Sequence, residues 1–109
     1  MTQTAEVTEE EVYASFVQSA MTIMDPTGGA RNIDYLSHMH KISKYKARKL
    51  VHALRDKGWI ELKCFPNLCE DEFYPPYWAY VLTEKGRDTD YYRRESEKHH
   101  QILQHCFGL

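Results

Sequence analysis

Between Lys41 and Lys63 the chain carries eight basic side chains (Lys41, Lys44, Lys46, Arg48, Lys49, Arg55, Lys57 and Lys63) against two acidic ones, Asp56 and Glu61. That is a local charge of +6 in a chain whose formal net charge is −2, so the remaining residues carry −8. Cations gathered in one stretch suit a polyanion. Each phosphate neutralised by Lys or Arg releases condensed counterions, and an acidic remainder keeps the protein off random polyanions. Arg48 and Lys49 can donate to guanine O6 and N7, and Tyr45 can meet a thymine methyl or a phosphate. The competing reading is a solvated helix face with no partner.

Other chemistries find less support. Cys64 and Cys69 enclose four residues, and His99, His100, His105 and Cys106 lie far downstream, so the tight C-x2-C pairing of a structural zinc site is missing. His38 and His40 flank Met39 and read as surface or core-edge histidines. There is no phosphate-binding glycine loop, nucleophile elbow or H-E-x-x-H sequence, and adjacency does not make an acid–base pair of Glu70, Asp71 and Glu72. Nothing here argues for an enzyme, a cofactor, a metal or a small-molecule substrate.

A chain of 109 residues suffices for one domain with a modest core, and 13% aromatic content argues against disorder. The stretch "VYASFVQSAMTIM" is too short to span a membrane and lacks the basic start and cleavage pattern of a secretion signal. Three cysteines are an odd count better suited to reduced thiols than to a disulfide framework, so the expected location is the cytoplasm.

The elements that must position the basic stretch follow from caps and periodicity. Thr8, followed by Glu9, Glu10 and Glu11, marks a helix start, and Val12, Phe16, Ala20 and Ile23, widened by Tyr13, Val17 and Met24, predict a helix from Glu9 to Met24 that "DPTGG" stops. Asn32 caps a short second helix with Ile33, Leu36 and Met39 or His40 on one face. Ser43 caps a third, in which Ala47, Leu50, Val51 and Leu54 form the core stripe and Gly58 provides the left-handed stop. A 100° step per residue then turns Tyr45, Arg48, Lys49, His52 and Asp56 outward, with Lys44 and Arg55 flanking. "WIELKCF" and "YWAYVL" read as antiparallel strands joined by the loop "PNLCEDEFYPP". Phe73, Tyr77 and Trp78 are expected to pack that hairpin back on the domain. Thr83 caps a polar final helix, interrupted in composition only by Gly86.

Helix, short helix, turn, helix, hairpin is the order of a winged helix-turn-helix, a mostly α fold with a small antiparallel hairpin. "SKYKARKLVHALRDKGWIE" resembles the second half of the helix-turn-helix of FaeA-like fimbrial regulators, and "YVLTEKGR" is similar to the exit from the second wing strand in MarR-like and PadR-like repressors. The resemblance implies a transcriptional regulator that places helix 3 in the major groove of double-stranded DNA. It divides the single domain into a flexible start over 1–8, a winged-helix core over 9–83 and a C-terminal helix over 84–109. The expected DNA-contacting residues are Ser43, Lys44, Tyr45, Lys46, Arg48, Lys49, His52 and Lys63.

The expected wing tip departs from that pattern, because Glu70, Asp71 and Glu72 would repel a duplex. A protein-binding adaptor that uses the acidic wing is the alternative function. The tail bears on assembly. Ile102, Leu103, Cys106 and Phe107 make an apolar end to a polar segment, and with Tyr92 and His99 they form the expected homodimer interface. Pairing through terminal helices is also what the MarR-like and PadR-like resemblance implies, with half-sites about one DNA turn apart. The alternative for the tail is folding back on helix 1 over Val12, Phe16 and Ile23.

Overall fold

Side-chain caps fix where the helices begin. In the computed structural model, which describes residues 7–22, 27–65 and 77–107, Thr8 accepts from the Glu11 amide, Asn32 from Tyr35, Ser43 from Lys46 and Thr83 from Gly86. Each satisfies an amide that the first helical turn leaves without a partner. The helices are α1 (Glu9–Ala20), α2 (Ile33–His40), α3 (Lys44–Asp56), α4 (Glu84–Arg87) and α5 (Asp90–Phe107). Strands β1 (Ile60–Phe65) and β2 (Tyr77–Leu82) stand between α3 and α4. The protein is therefore mostly helical with one antiparallel hairpin. Ile23, Met24, Cys69, Phe73, the acidic triplet Glu70, Asp71 and Glu72, and the side chain of Phe107 lie outside the described residues.

The core forms where the apolar stripes meet. Val12, Tyr13, Phe16 and Val17 of α1, Leu36 of α2, Val51 and Leu54 of α3, and Ile60, Tyr80 and Leu82 of the hairpin make one buried cluster. Full burial of each aliphatic side chain contributes about 1.5–3 kcal/mol before entropy is counted. The expected stripe on α3 is right at Ala47, Val51 and Leu54, but Leu50 sits at its margin, half-buried. On α2, His40 turns inward and its ring bonds Ser15 Oγ at 2.8 Å, leaving Met39 exposed.

In the hairpin Ile60 opposes Leu82, Leu62 opposes Tyr80 and Phe65 opposes Tyr77. On the far side of β2, the Arg31 amide donates to Tyr80 O and the Tyr80 amide to Arg31 O, both at 2.9 Å. This single bridge, from the segment between α1 and α2, makes β2 an interior strand and leaves β1 at the edge. Ile60, Tyr80 and Leu82 face the helices, while Ala79 and Val81 on the other face join Ala30 in a second cluster bordered by Phe65 and Tyr77. Tyr77 thus packs, with its ring 6.3 Å from that of Phe65, but Trp78 does not. It stays 57% exposed on the helix-facing side, bordering an open cleft with Asn32, Ile33 and Asp34 at the start of α2.

Two expected helix bounds differ. Helix α1 ends at Ala20, short of Met24, where the Met21 and Thr22 amides turn back to Gln18 and Ser19. The returning chain crosses there. Gly29, at φ +93°, lies so close to the α1 backbone that a Cβ would come within 2.4 Å of Ala20 N. The final segment is not one helix but two, α4 and α5, broken at Asp88 and Thr89. Gly86 must pass the Trp59 carbonyl, whose oxygen a Cβ would approach to 2.0 Å, and the Thr89 hydroxyl then caps α5 by accepting from the Tyr92 amide at 3.1 Å. Tyr13 secures the break by donating to Gly86 O at 2.7 Å and pairing with Thr89 Oγ1. No helix among the described residues is long and apolar enough to cross a membrane.

Candidate nucleic-acid interface

Helix α3 is launched by a short turn. Lys41 adopts a left-handed conformation, φ 55°, that closes α2, and Ser37 Oγ donates to Ile42 O at 2.6 Å. Ser43 then caps α3, and burial of Ala47, Val51 and Leu54 fixes which side of the helix faces out. The outward residues are Tyr45, 75% exposed, and the exposed Lys44, Arg48, Lys49, Arg55 and Asp56. His52 is only half-buried at the edge of this face, and Lys46 is half-buried in a shallow groove with Val7, Ser43, Tyr45, Lys49 and Leu50.

The cations differ in what already neutralises them. Lys44 pairs with Asp34 at 3.3 Å, Arg55 with Asp56 at 3.3 Å and Lys57 with Glu9 at 2.9 Å. Such exposed pairs are worth little in stability, yet each cancels a charge that a polyanion could use. Arg48 and Lys49 have no hydrogen bond or ion pair among the described residues. Helical phase turned these two outward with Tyr45 and suited them to guanine; that no described carboxylate pairs with them is a tertiary fact. The most open cationic surface on the helix is therefore Arg48 and Lys49 beside the exposed Tyr45 ring.

Lys63 is placed elsewhere. Strand side chains alternate, so Ile60 turns to the helices while Lys63 projects from the opposite face of the hairpin, with its ammonium 5.5 Å from the Phe65 ring centroid. The structure does not bring it onto one face with Arg48 and Lys49.

The expected interface residues of the tail also divide. Tyr91 and Tyr92 pack against the core of their own chain, and Gln18 Nε2 donates to Glu95 Oε1 at 2.7 Å, so the first turns of α5 fold back on α1. Hydrogen bonds from Lys98 and Gln18 hold the Glu95 carboxyl below its usual range. His99 and Leu103 are half-buried, Ile102 and Cys106 exposed. Arg93 binds Asp88 and Asp90 at 2.6 and 2.7 Å across the start of α5, which lowers the Asp90 carboxyl. Among the described residues no group of His, Cys, Asp and Glu is placed to hold a metal, and Cys64 and Cys106 are free thiols.

Comparison with known proteins adds nothing to this geometry: no family model, no curated protein and no solved structure matches the chain.

Proposed function

We propose that the protein is a winged-helix DNA-binding transcriptional regulator that reads double-stranded DNA with α3. The observation that carries the reading is the outward face of α3, where Arg48 and Lys49 are exposed without a carboxylate partner among the described residues, beside a 75% exposed tyrosine. A free guanidinium and a free ammonium on successive residues suit base edges and phosphates, and the exposed ring suits a thymine methyl or a sugar. Chain topology supports the same reading. A one-residue bridge between α1 and α2 that pairs with β2, followed by α2, α3 and a hairpin, is the order of a winged helix.

In this reading Ser43 and Lys44 approach the phosphate backbone at the helix N-terminus, Arg48 and Lys49 enter the groove, and the buried side of α3 keeps the helix rigid. Lys44 and Lys57 add to the field once DNA competes with Asp34 and Glu9 for them. The regulator works as a pair of subunits, so that two α3 helices read two-fold-related half-sites.

The test is selection from a pool of random duplexes, followed by a salt titration of the best binder. The reading expects an enriched motif with dyad symmetry and an affinity that falls steeply with salt. Failure to retain any duplex at low salt would refute it. Retention of a protein partner insensitive to salt would favour the adaptor reading instead.

A further inference from the structure

Among the described residues of the hairpin, the outer edge of β1 is open. Glu61, Leu62 and Lys63 are exposed in succession, although neighbouring strand residues point to opposite faces, so the strand is open above and below at this point. Its main-chain groups divide by ladder phase. The Thr83 amide donates to Trp59 O at 3.0 Å, which makes Trp59 and Thr83 a hydrogen-bonded pair, and such pairs alternate along an antiparallel ladder. Glu61, Lys63 and Phe65 therefore bond to β2, while Ile60, Leu62 and Cys64 turn their amides and carbonyls to the free edge. Tyr80, opposite Leu62, turns its own to Arg31, as this phase requires. No main-chain hydrogen bond from another described residue reaches Leu62 or Cys64 on the outer side.

An edge strand of this kind templates another strand unless it is blunted. A charged pair on the edge ordinarily does the blunting, but the order of charges here is self-complementary. If two copies of β1 run antiparallel with Leu62 opposite its symmetry mate, Glu61 faces Lys63 and Lys63 faces Glu61. The same register sets Ile60 opposite Cys64, so every outward-turned amide and carbonyl of these residues meets a partner. A slip of one residue would set the hydrogen-bonding phase wrong, and a slip of two would place Glu61 opposite Glu61 or Lys63 opposite Lys63. On the helix-facing side, Leu62, 51% exposed, would lie against its mate beside Tyr80, and Trp78 would border Cys64 at each end.

We infer that β1 is a self-association surface, and that a second copy of this chain docks on it as an antiparallel edge strand centred on Leu62. The result is a continuous sheet in the order β2, β1, partner β1, partner β2. Its two-fold axis stands normal to the sheet. Both α3 helices consequently lie on one side of it. Lys63 is then occupied by Glu61 of the partner subunit rather than by DNA. The surface is independent of what α3 binds, so its test is made without DNA and its failure leaves the DNA reading standing.

Because both charges sit on the same strand, one substitution spoils two contacts and a second restores them. Sedimentation velocity of the full chain across micromolar concentrations should show a dimer. Lys63→Glu places like charges opposite each other at both sites and should raise the dissociation constant about tenfold or more, whereas Glu61→Lys with Lys63→Glu should return it to the starting value. Both residues are exposed, so unchanged melting of each variant shows that the fold is intact. A monomer at every concentration, a dimer indifferent to Lys63→Glu, or a double variant as weak as the single would overturn the inference. So would a dimer split by Ile102→Glu but not by Lys63→Glu, which would place pairing on α5.

Discussion

Replacing Arg48 and Lys49 together by alanine separates a DNA-reading helix from a merely solvated one. Both side chains lie off the buried stripe of Ala47, Val51 and Leu54 and bond to no other described side chain, so folding stability should change by no more than about 0.5 kcal/mol. Affinity should change far more. A base-reading contact is worth about 1–3 kcal/mol, so the pair accounts for about 2–6 kcal/mol on the selected duplex, less whatever the neighbours share. If either side chain touches phosphate instead, the slope of log affinity against log salt falls by about 0.9 for each. Lys57→Ala is the internal control. Its ammonium is 2.9 Å from Glu9, so removing it also frees a carboxylate, and the salt slope should move by much less than one contact. Fluorescence anisotropy of a labelled duplex, titrated from about 50 to about 300 mM salt, reads both quantities. A double variant with unchanged affinity and unchanged slope would remove this face of α3 from any nucleic-acid contact.

Three further outcomes concern the frame that holds α3. Leu54→Ala, at a site with no solvent exposure, should cost about 2–5 kcal/mol in denaturant unfolding, and half-buried Leu50→Ala distinctly less; the reverse order would show that the helix is turned differently. Gly86→Ala should destabilise by more than about 2 kcal/mol, since the new Cβ meets a main-chain oxygen at 2.0 Å, and wild-type melting would refute that close approach. Tyr13→Phe strands the Gly86 carbonyl and should cost about 1–3 kcal/mol at neutral pH. Burial raises the Tyr13 phenol above its ordinary value, an effect the Thr89 hydrogen bond partly offsets, so its contribution is fully present below about pH 10 and is lost as pH rises through the folded value. The phenylalanine variant should lack that alkaline loss, and an identical pH profile for both proteins would contradict the assignment.

What the sequence disclosed, and what it hid, divides along the range of the forces involved. Thr8, Asn32, Ser43 and Thr83 were legible as caps because a cap acts on an amide three residues away. The outward turn of Tyr45, Arg48 and Lys49 was legible because helical period alone decides it. Gly86 read only as an interruption, since nothing local announces that Trp59 O must pass beside it. The Arg31 bridge is a single residue and has no period to detect. Trp78 was expected to pack because aromatic rings usually do, yet it borders an open cleft with the start of α2, and how far α2 stands from the strand is not written in the strand itself. The ion pairs that spare Arg48 and Lys49 are likewise set by where Asp34 and Glu9 fall in space.

The Tyr13 hydroxyl meets an acceptor 73 residues further along the chain, and Arg31 waits for Tyr80 before its bridge can close. During synthesis, then, α1, α2 and α3 emerge early with their apolar stripes facing no sheet, and the core cannot be sealed until the stretch from Tyr77 through Tyr92 has left the ribosome. From the emergence of Leu54 until then, a half-made domain exposes Phe16, Leu36 and Leu54 together. The loop-closure cost is met late and all at once, so the last third of the chain governs how quickly the first third becomes safe from aggregation.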